Sequence, residues 1–320
     1  MDRTHRTAWL AIAEDGVTLM LAASPSCREK PRCGLRGPLY TSNMPSVPHL
    51  LSRQNPTIKL FRHAFKTGLV PLESESGAEF LAIEGARMIG EAVRSGLRVE
   101  KVLFSSIGEE QHGKRLRPQF SKHTEVSVTD PATFKACTEV ESPQGVAALV
   151  RWVRPKLEDL FAAPAPPLIL AAAGLQDPGN LGTLIRAADA FGATGVVVLT
   201  ETVSPFNAKA VRASAGSLFH LPVIAQVHPQ ELIDLCQLYD VTLIATAARG
   251  KTELGEAELN HSSCILIGQE GSGVPRDLLR AANTTVAVPM VREVESLNAG
   301  VAGSVILYEA MRQRQQAENE

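Results

Sequence analysis

The chain has 320 residues, 44% of them hydrophobic and 21% charged, with a formal net charge of -2. That is long for one core, so two domains are expected; no apolar run reaches the roughly eighteen residues of a membrane span. The five cysteines, Cys27, Cys33, Cys137, Cys236 and Cys264, match neither a zinc spacing nor a disulfide framework, which fits a reducing compartment such as the cytoplasm. The small net charge hides an asymmetry: residues 1–160 carry 22 Lys plus Arg against 18 Asp plus Glu, and residues 161–320 carry 10 against 16. A basic half and an acidic half suggest different tasks.

Residues 1–50 read as a poorly structured leader. Trp9 to Ala23 is mostly apolar but is broken by Glu14, Asp15 and Gly16, and Ser24 to Pro48 is rich in Pro, Gly and Ser. The interrupted apolar stretch and the lack of a cleavage motif argue against secretion. An organelle-targeting role stays open, as does translation from Met44. Between Lys30 and Leu72 there are seven Lys or Arg and no Asp or Glu. Within it, Asn55 to Phe65 reads as a capped helix carrying Lys59, Arg62 and Lys66. Such a face attracts an RNA backbone; a plain solvated helix face is the equal alternative.

Residues 51–152 alternate strand and helix. Phe80–Glu84, Val99–Phe104 and Glu125–Val128 read as strands. Gly85–Ser95, Lys114–Phe120 and Pro131–Thr138 read as helices, and Ser142–Val150 as a turn into a strand. This is a compact layered domain with no paired carboxylates, better suited to binding than to catalysis. The proline-rich stretch 153–167 reads as a linker.

The second domain, 168–320, opens with Leu168-Ile-Leu-Ala-Ala-Ala, a continuous apolar run suited to a buried parallel strand. Asn180 is placed to cap the next helix, whose Leu181, Leu184, Ile185, Ala188 and Phe191 share one face and whose Arg186 lies off it. Further strands are expected at Gly195–Thr200, from Leu221, at Val241–Thr246, Cys264–Gly268 and Val286–Val288. Helices are expected over Asn207–Gly216, Glu231–Leu238 and Arg276–Ala281, and a last one opens at Asn298. The pattern is an α/β open parallel sheet covered on both faces, with its ligand outside the carboxyl ends of the strands.

Neither Asp177-Pro-Gly-Asn-Leu-Gly nor Gly268-Gln-Glu-Gly-Ser-Gly has the spacing of a dinucleotide fingerprint or a phosphate loop. No His pairs with Ser and Asp at an informative spacing. The polar groups at strand ends are Asn180, Arg186, Glu270, Ser296 and Asn298. They suit a site that orients and polarises rather than one that forms a covalent intermediate.

Three stretches together resemble the SpoU, or TrmH, branch of the knotted SPOUT RNA ribose 2'-O-methyltransferases. They are Asp177-Pro-Gly-Asn-Leu-Gly-Thr-Leu-Ile-Arg-Ala-Ala-Asp-Ala-Phe-Gly, Leu266-Ile-Gly-Gln-Glu-Gly-Ser-Gly-Val-Pro and Val288-Pro-Met-Val-Arg-Glu-Val-Glu-Ser-Leu-Asn-Ala-Gly-Val-Ala. The resemblance covers about 167–312. The region 55–150, with Ser142-Pro-Gln-Gly-Val, is similar to the ribosomal-protein-like substrate-binding domain of many members. The resemblance implies a deep trefoil knot, which general topology rules argue against, a homodimer, and S-adenosylmethionine held in the knotted loops. It places Thr246, Gly268, Glu270, Val288, Met290 and Leu297 around the cofactor. It assigns Asn180, Arg186, Glu270, Ser296 and Asn298 to catalysis and loop support. Where members often have Val-Ser, this chain has Ala299-Gly300, which removes one hydroxyl.

The implied reaction is methylation of a ribose 2'-hydroxyl in structured RNA, ribosomal RNA first and transfer RNA second, without metal. Arg186, almost always protonated, would polarise the hydroxyl and hold a phosphate, with transient base action left open. A non-methylating RNA-binding relative and a nucleotide-binding oxidoreductase are the rival readings.

Overall fold

Two β-sheets organise the chain in a computed structural model that describes residues 48–50, 52–72, 77–162, 166–292 and 296–319. The expected leader lies almost wholly outside the described residues. The first sheet contains β1 (His49–Leu50), β2 (Leu69–Pro71), β3 (Ala78–Glu84), β4 (Val99–Ser105), β5 (Glu125–Thr129) and β6 (Val146–Val153). Its order is β1-β5-β4-β6-β3-β2. β4, β5 and β1 run parallel, while β6 runs antiparallel to both β3 and β4. β6 therefore takes the centre, and Val146 to Val150 are all buried there.

Helix α1 (Pro56–Thr67) forms where the capped helix is expected: Asn55 Oδ1 accepts from the Thr57 amide at 2.8 Å, and Pro56 sets the first turn. Ile58, Phe61, Ala64 and Phe65 bury one face, and Lys59, Arg62 and Lys66 are exposed on the other. α2 (Ala86–Arg94) follows β3, and α5 (Pro131–Lys135) follows β5. The helix expected at 114–120 begins earlier. Ser105 caps it through the Gly108 amide at 2.9 Å, and α3 (Ser106–Gly108), a π turn (Glu109–Gly113) and α4 (Lys114–Leu116) run on from there. The Glu109 carboxylate, paired with Arg117, lies against Gly113 at the end of the π turn, where a Cβ would stand 2.6 Å from its oxygen. The stretch expected as a linker is partly packed instead: Leu157, Leu160 and Phe161 are buried in the core of the second sheet.

The second sheet contains β7 (Leu168–Ala173), β8 (Gly195–Leu199), β9 (Val223–Val227), β10 (Thr242–Thr246), β11 (Thr252–Glu253), β12 (Ser263–Gly268) and β13 (Thr284–Ala287). All pair parallel, in the order β11-β13-β10-β12-β7-β8-β9. Its helices are α6 (Pro178–Ala190), α7 (Ala208–Ala213), α8 (Pro229–Leu238), α9 (Arg276–Ala281) and α10 (Ala299–Ala317). Alternate residues of each central strand face opposite layers. Leu168, Leu170 and Ala172 pack with Leu184 of α6 and Ile306 of α10, whereas Ile169, Ala171 and Ala173 pack with Leu232 of α8 and Leu278 of α9. Burial on both faces is why β7 reads as an unbroken apolar run. From β13 at the sheet's far side the chain returns to α10, which packs on α6 beside the central strands.

The segment 204–220 joins the two sheets. Phe206 stacks edge-on against Trp152 of β6 at 5.5 Å. It also meets Gly68, where a Cβ would lie 2.8 Å from the Phe206 carbonyl oxygen. Ala208 belongs to the small domain's core cluster. His220 spans the seam: Nδ1 pairs with Asp189 of α6 at 2.8 Å and Nε2 with Glu91 of α2 at 3.2 Å.

Candidate active site

Three loops at the carboxyl ends of parallel strands meet at one carboxylate. The first follows β7. Here Asp177, rather than Asn180, caps α6: its side chain accepts from the Gly179 amide, with Pro178 as the first helical residue. Proline fixes that turn three residues earlier than expected, and Asn180 falls inside the first turn with its side chain free for other partners. The second loop follows β12. It folds back through paired bonds between Gln269 and Gly273, and Ser272 Oγ donates to Gln269 Oε1 at 2.9 Å. Gly268 makes this return possible, because a Cβ there would stand 2.2 Å from the backbone of Gly273 and Val274. The third loop ends at Asn298, which caps α10 by accepting from the Val301 amide at 3.2 Å.

Glu270 Oε1 gathers the three. It accepts from Asn180 Nδ2 at 2.5 Å, from Asn298 Nδ2 at 2.9 Å and from the Ala299 amide at 3.3 Å. Asn298 Nδ2 also donates to Asn180 Oδ1 at 2.9 Å. An ionised carboxylate suits this place because it only accepts and can take several donors. The junction binds the first turn of α6, the returning loop and the start of α10 into one unit.

Beside it lies a cavity of about 480 Å³ at the ends of β10, β12 and β13, within the range of small-molecule sites. Leu279, Val286, Val288, Leu297 and Ile306 supply apolar walls, and the backbone of 269–273 supplies polar groups. An adenine ring fits such a lining: apolar faces and edges that bond to backbone amides. Of the expected cofactor residues, Thr246, Glu270, Val288, Met290 and Leu297 line the cavity, as does Ser296. Gly268 does not; it is buried beneath the returning loop. The Thr246 hydroxyl is turned to the Leu266 carbonyl at 2.9 Å.

Arg186 is not in this cavity. It is exposed on α6, six residues beyond Asn180, without a side-chain partner among the described residues. It shares a strip of α6 with Thr183, which packs on Gly300 of α10. There a Cβ would lie 3.2 Å from the Thr183 side chain, so the departure at Ala299-Gly300 lets the two helices approach closely. Sequence reasoning missed Ala247, Ala302 and Ile306 as cavity residues. Ala302 and Ile306 lie on the last helix at i,i+4, a spacing that points to one buried face without saying which neighbour it meets. Among the described residues no group of His, Cys, Asp and Glu is disposed to hold a metal ion.

Residues 167–308 match the SpoU rRNA Methylase family, and residues 76–148 match the MRM3-like substrate binding domain. The chain is 33% identical over 226 residues to the 23S rRNA (guanosine(2553)-2'-O)-methyltransferase RlmP of Bacillus subtilis, covering 71% of this chain and 86% of that protein. It is 31% identical over 245 residues to the 23S rRNA (uridine(2479)-2'-O)-methyltransferase of Streptomyces viridochromogenes, covering 74% and 83%. The crystal structure of the SpoU methyltransferase AviRb from Streptomyces viridochromogenes, in complex with AdoMet, superposes with a TM-score of 0.71 at 28% identity, over 82% of this chain and 99% of that one.

The glycine beneath the loop gives a direct test. Gly268→Ala would force the loop outward at a cost of about 1–3 kcal/mol. Carried by the bound state, that is roughly 5- to 150-fold weaker binding of S-adenosylmethionine by titration calorimetry. Unchanged affinity would mean that the returning loop does not shape the cofactor site.

Proposed function

The chain belongs to the SpoU rRNA methylase family of knotted RNA ribose methyltransferases, and from that premise we propose that its substrate is ribosomal RNA. It is an S-adenosylmethionine-dependent ribose 2'-O-methyltransferase. The observation that carries this reading is the Asn180–Glu270–Asn298 junction at the edge of the cavity. Ribosomal RNA is favoured because the methyltransferases of Bacillus subtilis and Streptomyces viridochromogenes are named for 23S rRNA; they act on a guanosine and a uridine, so the base beside the ribose does not carry over.

When bound, S-adenosylmethionine supplies an electron-poor sulfonium methyl. The protein's part is to hold the 2'-oxygen in line with it, and near-attack geometry is worth much of the barrier. Asn180, Ser296 and Asn298 hold the ribose and the loop, and Glu270 fixes the two amides. Arg186 polarises the 2'-hydroxyl and grips the adjoining phosphate. Because it projects outside its own cavity, it serves from a second copy of the chain.

A homodimer is supported by α10. Val301, Val305 and Tyr308, at i, i+4 and i+7, are 48%, 38% and 50% exposed among the described residues, an apolar stripe that one copy covers only in part, Phe191 packing edge-on against Tyr308. The RNA is also held by the exposed face of α1, through Lys59, Arg62 and Lys66.

Labelled S-adenosylmethionine and total RNA from cells lacking the gene test the reaction, with mass spectrometry of nucleosides to place the label. The label is expected on one ribose 2'-oxygen. Arg186→Ala should lower turnover roughly 30- to 1000-fold while cofactor affinity changes much less. Label on a base, or full activity in that variant, would overturn the mechanism. In the same preparations, Lys59, Arg62 and Lys66 changed together to Ala should weaken RNA binding and flatten its salt dependence; an unaltered salt slope would move the footprint elsewhere. Light scattering should give twice the 34.3 kDa of the chain, and an active monomer would remove the dimer and the shared Arg186.

A further inference from the structure

The seam between the two domains holds a polar group that the reaction does not use. Glu84 ends β3 in the small domain, and its Oε2 is buried without a hydrogen-bond partner among the described residues. Arg212, on α7 of the second domain, acts on it through space. Yet Arg212 makes no hydrogen bond or ion pair among the described residues and is exposed. A joint built only to lock two domains would pair the guanidinium with the carboxylate.

One turn earlier on the same edge of α7 is Lys209, 58% exposed, whose ammonium pairs with Asp177, the cap of α6. The Lys209 side chain also passes Gly179, where a Cβ would lie 3.3 Å from its Cε. α7 cannot drift from α6, because Gly182 brings the two backbones together: a Cβ there would stand 2.4 Å from the Ala210 carbonyl oxygen. Lys209 is thus fixed beside the turn that carries Asn180, and Arg212 beside the small domain. Two cations at i,i+3 span the distance between the domain matched to substrate binding and the reaction centre.

We propose that this edge of α7 carries the RNA backbone across the seam, with phosphates on Lys209 and Arg212, and that Glu84 tunes how much of the Arg212 charge is available. The proposal rests on the RNA-methyltransferase reading and adds to it a path for the strand. Phosphate contacts of this kind position a nucleic acid without reading its sequence.

Proton linkage follows. Burial raises the Glu84 carboxyl to about 7, with Arg212 and the Gln144 amide pulling it part of the way back. Arg212 is the charged group acting on it. The loop before β6 brings only the neutral Gln144, and on neighbouring α2 Arg87 is exposed and Glu91 is engaged by Arg94 and His220. A phosphate on Arg212 cancels the charge that favours ionised Glu84, so the carboxyl takes up a proton when RNA binds. The resulting gain in affinity is fully present below the free protein's value near 7. It is lost as pH rises through the higher value of the complex.

The test measures binding of a fluorescein-labelled, mixed-sequence single-stranded RNA oligonucleotide to the full chain, across salt and from pH 6 to roughly pH 8.5, a window set by the Glu84 carboxyl. Arg212→Gln and Lys209→Gln should each weaken binding and each lower the salt slope by about 0.7, the value for one single-strand phosphate contact. Arg212→Lys should keep most of the slope. Glu84→Gln should bind tighter than the parent at the alkaline end and lose the pH response. His220, also at the seam, titrates in every variant and so cannot account for a response that Glu84→Gln alone removes. Unchanged affinity and slope in both glutamine variants would overturn the path. So would a Glu84→Gln variant that melts early and weakens RNA binding as Arg212→Gln does, because Glu84 and Arg212 would then be a structural joint. A parent that binds RNA in this way but never methylates a ribose would instead remove the functional reading and leave the path standing.

Discussion

One carboxylate oxygen holds the three loops of the candidate site together. Glu270 Oε1 takes N–H donors from α6, from the Asn298 side chain and from the backbone that starts α10. Charge-assisted bonds of this type are worth roughly 1.5–3 kcal/mol when buried and less when wet, and Glu270 is exposed. Its value is therefore geometric before it is energetic. The returning loop is held by a few bonds of its own, and the third loop ends in a helix cap. Without a common acceptor their relative placement would rest on backbone stiffness alone.

The sheet supplies the rigid base for that junction. β7 and β12 are buried on both faces, so their carboxyl ends are fixed by packing from two layers. The loops then need few contacts to be well placed. Glycine sets the close approaches: Gly268 under the returning loop, Gly182 between α6 and α7, and Gly303 where a Cβ would stand 2.2 Å from Leu184. The small-residue run that starts α10 makes room for the α6 side chains Thr183 and Leu184, as well as bordering the cavity.

Much of this was legible in the sequence because local signals and burial agreed. The six-residue run from Leu168 suits a two-sided buried strand, and Asn55-Pro56 suits a helix start, and the packing agrees with both. β2 and β11, of three and two residues, carry too little pattern to be seen. The cap of α6 was misplaced because Asp177 and Asn180 are equally good caps by type, and proline at 178 decides between them. The motif that contains Arg186 groups it with the site. Helical periodicity puts it off the buried face, but not on the cavity side of α6 or away from it. The seam through Phe206, His220 and Arg212 has no local signal, since the partners that face each other across it, such as Trp152 with Phe206 and Glu91 with His220, are more than fifty residues apart and share no spacing.

The central claim is that Asn180, Glu270 and Asn298 act as one unit rather than as three separate contacts. A double-mutant cycle on single-turnover methyl transfer, with Glu270→Ala, Asn298→Ala and both together, measures this directly. Coupling of about 1–3 kcal/mol, with the double variant little worse than the poorer single one, is the result predicted for a shared junction. Losses that add to within about 0.5 kcal/mol would contradict it and leave Glu270 as an independent contact.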